Sequence, residues 1–241
     1  MNTKKREARI AGLIYILIVI TAPFSMMYIP SVLFVNGDAT ATMNNIHASE
    51  LLFRVGVVCD LITHILFALV VLALYHLLKD VNHRLAVLMA VLALVSVPIA
   101  FANTLNLAAP LALSSGPDFL SSFDKQQADA LAYSYLRLRW HGIMATSVFW
   151  GLWLLPFGLL VYRSGFIPRV FGVLLWVAGL AYVIHWFVTL LSPALGEATA
   201  SISMVLQVGE VPIVFWLLIK GVRDQPSAGQ APRPGNRIAV A

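Results

Sequence analysis

Apolar residues run in long unbroken blocks along this chain, with polar residues gathered between them. Six blocks each hold about 20 mainly apolar residues, the length a helix needs to cross a bilayer. They fall at roughly 10–30, 53–78, 85–108, 141–162, 169–191 and 201–220. The blocks are too long and too continuous for the alternating strands of a membrane barrel. An open strand would leave its backbone amides unsatisfied in lipid. The pattern therefore predicts an all-α polytopic bundle of six transmembrane helices in a single domain over 1–224.

The connections refine that picture. "KDVNHR" and "RSGFIPR" are short, so their flanking helices form antiparallel hairpins. The stretch 109–139 is the longest connection. Within it "SSFDKQQADALAYSYLRLRWHG" begins with Ser121 three residues before Asp124, a cap-like start for a short surface helix leading into the fourth span. The tail 225–241 is rich in Pro, Gly, Ala and polar residues, a composition expected to be disordered. Pro23, Pro98, Pro156 and Pro212 lie inside spans, where each removes an amide and favours a kink. Pro212 would also free the carbonyl of Val208. Gly151 and Gly158 are nearly two turns apart, as are Gly172 and Gly179. Each pair lies on one helix face and predicts close packing of the fourth and fifth spans. The two three-span halves have opposite orientations, as in inverted-repeat carriers, but no sequence repeat joins them.

Charge supplies the orientation. With the N-terminus cytoplasmic, 12 of the 16 basic residues fall on that side. Lys125, Arg137, Arg139 and Arg54 fall on or near the other. The positive-inside rule thus places both termini in the cytoplasm. Composition agrees with a lipid solvent: 60% of residues are hydrophobic and 11% charged, against roughly 25% charged in soluble domains. The isoelectric point near 9.6 does not indicate nucleic acid, because the basic residues flank apolar runs instead of forming an aromatic-interleaved patch. The one cysteine, Cys59, allows no intrachain disulfide. The basic, apolar N-terminus lacks a small-residue cleavage site and is read as an uncleaved first span.

Against this background the intramembrane polar residues stand out. An acid at the centre of a span costs about 2.5–3.5 kcal/mol on insertion scales, so it needs a partner, a neutral form or an interior position. Glu210 lies in the sixth span, with Gln207 and Ser203 on its face. Asp60 and His64 are four apart on the second span. At about 1.5 Å per residue Asp60 is about 10 Å and Glu210 about 14 Å from the outer ends, so the two acids could meet. Asn103 and Asn106 add a pair on the third span, and Tyr182, His185, Thr189 and Ser192 a stripe on the fifth. His141 and Arg139 sit at the outer mouth of the fourth span and Arg54 at that of the second.

The expectation is a polar, partly acidic chamber in the outer half of the bundle, with Asp60, His64, Asn103, Asn106, His141, His185, Gln207 and Glu210 as candidate ligand-binding residues. Carboxylates withdrawn from water can bind and release protons or a cationic solute, which motivates binding or transport. A membrane-embedded, metal-dependent hydrolase is the second reading. His64, His185 and Glu210 are its weak candidate ligands, since no ligand spacing, H-E-x-x-H or G-x-S-x-G is present. In the third reading, a structural or accessory subunit, the same groups satisfy one another and fix helix packing. No catalytic residue and no cofactor is indicated. The expected partners are the lipid bilayer, a second copy of the chain and an unidentified small molecule.

"KKREARIAGLIYILIVITAPF", "GLWLLPFGLLVYRSGFIPRVFGVLLWVAGLAYVI" and "GEVPIVFWLLIKGVRD" resemble an uncharacterised bacterial family of six-span membrane proteins, catalogued only as a domain of unknown function. The resemblance covers roughly residues 5–224. It implies a helical bundle in the bacterial inner membrane, and it implies no reaction, cofactor or site residue. The turn in the middle motif has its own rationale. Gly165 permits a positive φ at a helix C-terminus, Pro168 suits the start of the next helix, and Arg163 and Arg169 anchor the hairpin at the headgroups.

Overall fold

The computed structural model describes residues 3–114 and 123–222. Among these residues the fold is all helix, with six helices long and apolar enough to cross a membrane. The first span, Thr3–Leu33, is α1 (Thr3–Pro23), a π turn (Phe24–Tyr28) and α2 (Ile29–Leu33). A short helix, α3 (Ala39–Ala48), follows. Spans two to five are α4 (Glu50–Leu78), α5 (His83–Ser114), α6 (Lys125–Ser164) and α7 (Arg169–Leu191). The sixth is α8 (Pro193–Gln207), a 3-10 turn (Val208–Glu210) and α9 (Val211–Ile219).

The spans form a closed ring in chain order. Each packs on its sequence neighbour, and α9 of the last span returns to α1 of the first. Arg9 Nη2 donates to the carbonyl of Ile219 at 3.3 Å, so the first and last described segments lie on one face. That face is called the terminal face below.

The chain turns its greasiest residues outward. In α4 the buried residues Phe53, Gly56, Asp60, Thr63, His64, Val70, Val71 and Leu74 fall on one helical face. Val55, Val58, Ile62, Ile65, Leu69 and Leu72, between them, are exposed. Such apolar exposure on every span is what lipid solvation permits, and it places the polar side chains inside.

Two apolar clusters hold the ring. The larger fills the half toward the terminal face, drawing on all six spans. Trp153 stacks on Phe157 with centroids 5.2 Å apart, and Phe67 meets Trp153 edge-on at 5.4 Å. The smaller joins Ile29 and Leu33 to Met43 and Ile46 of α3, Phe53 of α4, Leu107 of α5 and Ala132 and Leu136 of α6.

Gly151, Gly158, Gly172 and Gly179 pack as expected. A Cβ on Gly151 would come within 2.5 Å of the Gly179 carbonyl, and one on Gly158 within 2.7 Å of that of Gly172. Here α6 and α7 touch backbone to backbone. Gly165 ends α6 at φ 72°, the left-handed geometry anticipated.

Several expectations are corrected. The surface helix and the fourth span are one continuous helix of 40 residues, about 60 Å long. Its N-cap is Asp124, whose carboxylate accepts from Gln127 N at 2.8 Å, while Gln127 Oε1 accepts from Asp124 N at 3.1 Å. Asp124 and Gln127 form the reciprocal box themselves, and Ser121 lies outside the described residues, as does the tail 225–241. The long connection shortens because α5 and α6 both extend into it. The carbonyl of Val208 is not freed by Pro212. It accepts from Val211 N, because the 3-10 turn tightens the chain just before the proline. The spacing also gives no hint of α3. It is capped by Asp38, which accepts from Ala41 N at 2.8 Å, and is anchored by only two apolar residues, Met43 and Ile46.

Candidate functional site

Asp60 is the deepest polar residue of α4, with no exposed side-chain surface. It is fully engaged. Arg139 Nη2 donates to Oδ1 at 2.6 Å, Thr104 Oγ1 donates to Oδ2 at 2.6 Å, and His64 Nε2 lies 3.4 Å from Oδ2. A buried acid bonded to a guanidinium and a hydroxyl has its charge and lone pairs matched, which a lipid-embedded carboxylate requires. Asn103 Nδ2 donates to the backbone carbonyl of Arg139 at 3.0 Å, and Asn106 Nδ2 donates to Asn103 Oδ1 at 2.9 Å. The second, third and fourth spans are thus tied into one polar node around Arg139.

Glu210 belongs to a second node. Tyr15 donates to Oε2 and Tyr182 to Oε1, each at 3.1 Å. The acid sits in the 3-10 turn, where the sixth span changes from α8 to α9, and fastens spans one and five to it. Gln207 Nε2 donates to Ser203 Oγ at 2.9 Å, and Ser203 Oγ donates to the Ala181 carbonyl at 3.4 Å, adding a second tie to α7.

The sequence-predicted residues therefore divide. Asp60, His64, Asn103 and Asn106 come together. Gln207 and Glu210 lie in the sixth span with different partners, and no hydrogen bond or ion pair joins the two acids. His141 is exposed and joins neither node. His185 is half-buried, and its Nδ1, like the Thr189 hydroxyl, has no hydrogen-bond partner among the described residues. The weak metal candidates His64, His185 and Glu210 do not converge. Among the described residues no three His, Cys, Asp or Glu side chains are placed to hold an ion. Arg54, at the mouth of span two, pairs locally with Glu50 at 2.7 Å.

Five contributors were absent from the predicted set: Arg139, Tyr182 and Ser203, noted by position alone, and Tyr15 and Thr104. Arg139 had a usable signal. It is a basic residue on the side otherwise poor in them, and a buried Asp60 needs a cation. Tyr15 had a weaker one, as the lone hydroxyl-bearing residue in "IAGLIYILIV". Thr104 had none, since threonines in membrane helices usually bond their own backbone.

A cleft of about 1010 Å³ opens in the half away from the terminal face. Met26 and Pro30 of the first span and Phe34 and the residues after it supply one wall, Arg137, Arg139, Trp140 and Ile143 of α6 another, and Glu197 of α8 a third. Arg139 also lines a small void of about 10 Å³ shared with His64, Asn103 and Trp150. It therefore stands between the polar node and the cleft. Nη2 is committed to Asp60, while the guanidinium has five N–H donors, leaving capacity on the cleft side. Arg137 and Glu197 are exposed in the cleft and make no ion pair among the described residues.

The family model for a domain of unknown function, DUF4386, matches residues 10–221. An uncharacterized protein of the archaeon Archaeoglobus fulgidus is 29% identical over 157 residues, 65% of this chain and 78% of that protein. No solved structure matches.

Proposed function

The chain belongs to the DUF4386 family, and from that premise we propose that it is a multi-pass membrane protein that binds a small amphiphilic solute in the cleft beside Arg139. The observation that carries this reading is the cleft itself. Ligand sites are concave, roughly 300–1,000 Å³, and mostly apolar with a few convergent polar groups. This one meets that description in volume and lining. Arg137, its cation unpaired among the described residues, and the remaining N–H donors of Arg139, whose charge is matched by Asp60, suit a phosphate-like acceptor group on the solute.

The two acids hold the frame in this reading. Asp60 fixes Arg139 at the cleft wall, and Glu210 closes the ring. The half toward the terminal face is filled by Trp153, Leu154, Phe157 and Leu160, all essentially unexposed. Moving a solute across would require that core to part, so binding is favoured over transport. The distribution of lysine and arginine supports cytoplasmic placement of the terminal face, with the cleft opening on the other side of a bacterial inner membrane.

Ser31 is an exposed cleft residue whose hydroxyl donates to its own helix, so it can be enlarged without touching either node. Ser31→Trp should retain the wild-type unfolding midpoint and lose any co-purifying small molecule seen by native mass spectrometry in mild detergent. Wild-type protein that carries no bound mass and gains no stability from any amphiphile would overturn the proposal.

A further inference from the structure

Resting on the reading of the cleft as a ligand site, we infer that its occupant is a zwitterionic lipid bearing a phosphate and an ammonium group, admitted sideways from the bilayer between the first span and α8. Three observations point there.

The first is charge. Arg137 and Glu197 both line the cleft, on different helices, and neither is paired among the described residues. Arg139 is neutralised by Asp60. One available cation and one available anion in the same concavity match a head group that carries both signs. A purely anionic ligand would meet Glu197 as a repulsive neighbour, a means of discrimination by an unfavourable contact.

The second is depth. Arg137 lies 27 residues before the end of α6 at Ser164, which is about 40 Å along the helix. A bilayer including its headgroup regions is about 40–45 Å thick. Arg137 is thus at headgroup level when Ser164 is at the opposite surface. Trp140, 53% exposed beside it, is the residue type enriched at that level. Met26, Pro30, Phe34 and Ile143 provide the apolar lining that acyl chains need.

The third is the seam. The sixth span leans on the first through α9, in the half toward the terminal face, whereas α8 leans on α7. In the half that holds the cleft, α8 packs on α7 and on the 3-10 turn, with no substantial packing on the first span among the described residues. The ring is therefore closed below Glu210 and parted above it, on the side where the cleft lies.

Binding is measured by native mass spectrometry and thermal shift in detergent, with phosphatidylethanolamine, phosphatidylglycerol and soluble phosphoethanolamine as probes. Wild-type protein should prefer phosphatidylethanolamine and respond little to the soluble head group. Arg137→Ala should weaken both lipids about tenfold, the loss of one charged contact. Glu197→Gln should weaken phosphatidylethanolamine alone and erase the preference. Both variants change exposed side chains and should keep the ligand-free unfolding midpoint. Equal binding of the two lipids, unmoved by Glu197→Gln, would refute the zwitterion while leaving the amphiphile site standing. Phosphoethanolamine binding as tightly as the lipid would refute entry from the bilayer. Loss of all three signals in the wild type would remove the ligand site itself.

Discussion

Asp60 and Glu210 show two ways for a carboxylate to live inside a bundle. Asp60 takes a guanidinium and a hydroxyl, and Glu210 takes two phenols. The first arrangement couples two buried charges, so removing one strands the other. Arg139→Met should therefore destabilise the protein by about 3–5 kcal/mol, whereas Asp60→Leu combined with Arg139→Met should recover most of that loss. A double-mutant cycle on unfolding midpoints in detergent checks this, and additive losses would show that the pair is not a unit. These residues were only half legible in the sequence. The acids announce themselves because charge in an apolar run is costly. Their partners do not, because Tyr15 and Thr104 are ordinary membrane-helix residues until the ring brings them beside a carboxylate. Depth alone also suggested one chamber, since it says how far in a side chain lies but not which way around the ring it points.

At the scale of the helix, close approach depends on what is missing. Where α6 meets α7, the glycine carbonyls occupy the space of side chains. Gly151→Val should lower stability by about 1–3 kcal/mol through overpacking. Ala102→Val, on an exposed face of α5, should change nothing measurable. Unfolding midpoints of the two variants, compared side by side, test the contact, and equal values would contradict it. The glycine pairs, the positive-φ turn at Gly165 and the six apolar runs were readable because each is a local pattern with one physical meaning. Span ends were less so. Amphipathic extensions such as 125–140 carry polar residues that hydropathy counts as loop, although the capping box at Asp124 starts a helix there. The helix α3 was unreadable because two large apolar residues in ten give no period, and what holds it is its seat on α6, including Lys125 Nζ donating to Asn44 Oδ1 at 3.3 Å.

For the whole molecule, the ring order and the shared terminal face make orientation a single binary question. In a Cys59→Ser background, Ala48→Cys should react with a membrane-impermeant maleimide in intact cells and Arg84→Cys only after lysis. The reverse would invert the proposed placement. Ring closure also bears on biogenesis. Tyr15 and Glu210 are 195 positions apart, and ribosomes add roughly 5–20 residues per second. The first span must therefore wait on the order of 10–40 s in the membrane before the carboxylate that secures it has been made. Until then one flank has no neighbour from its own chain, and a nascent chain arrested short of residue 210 is a horseshoe with an unlatched edge.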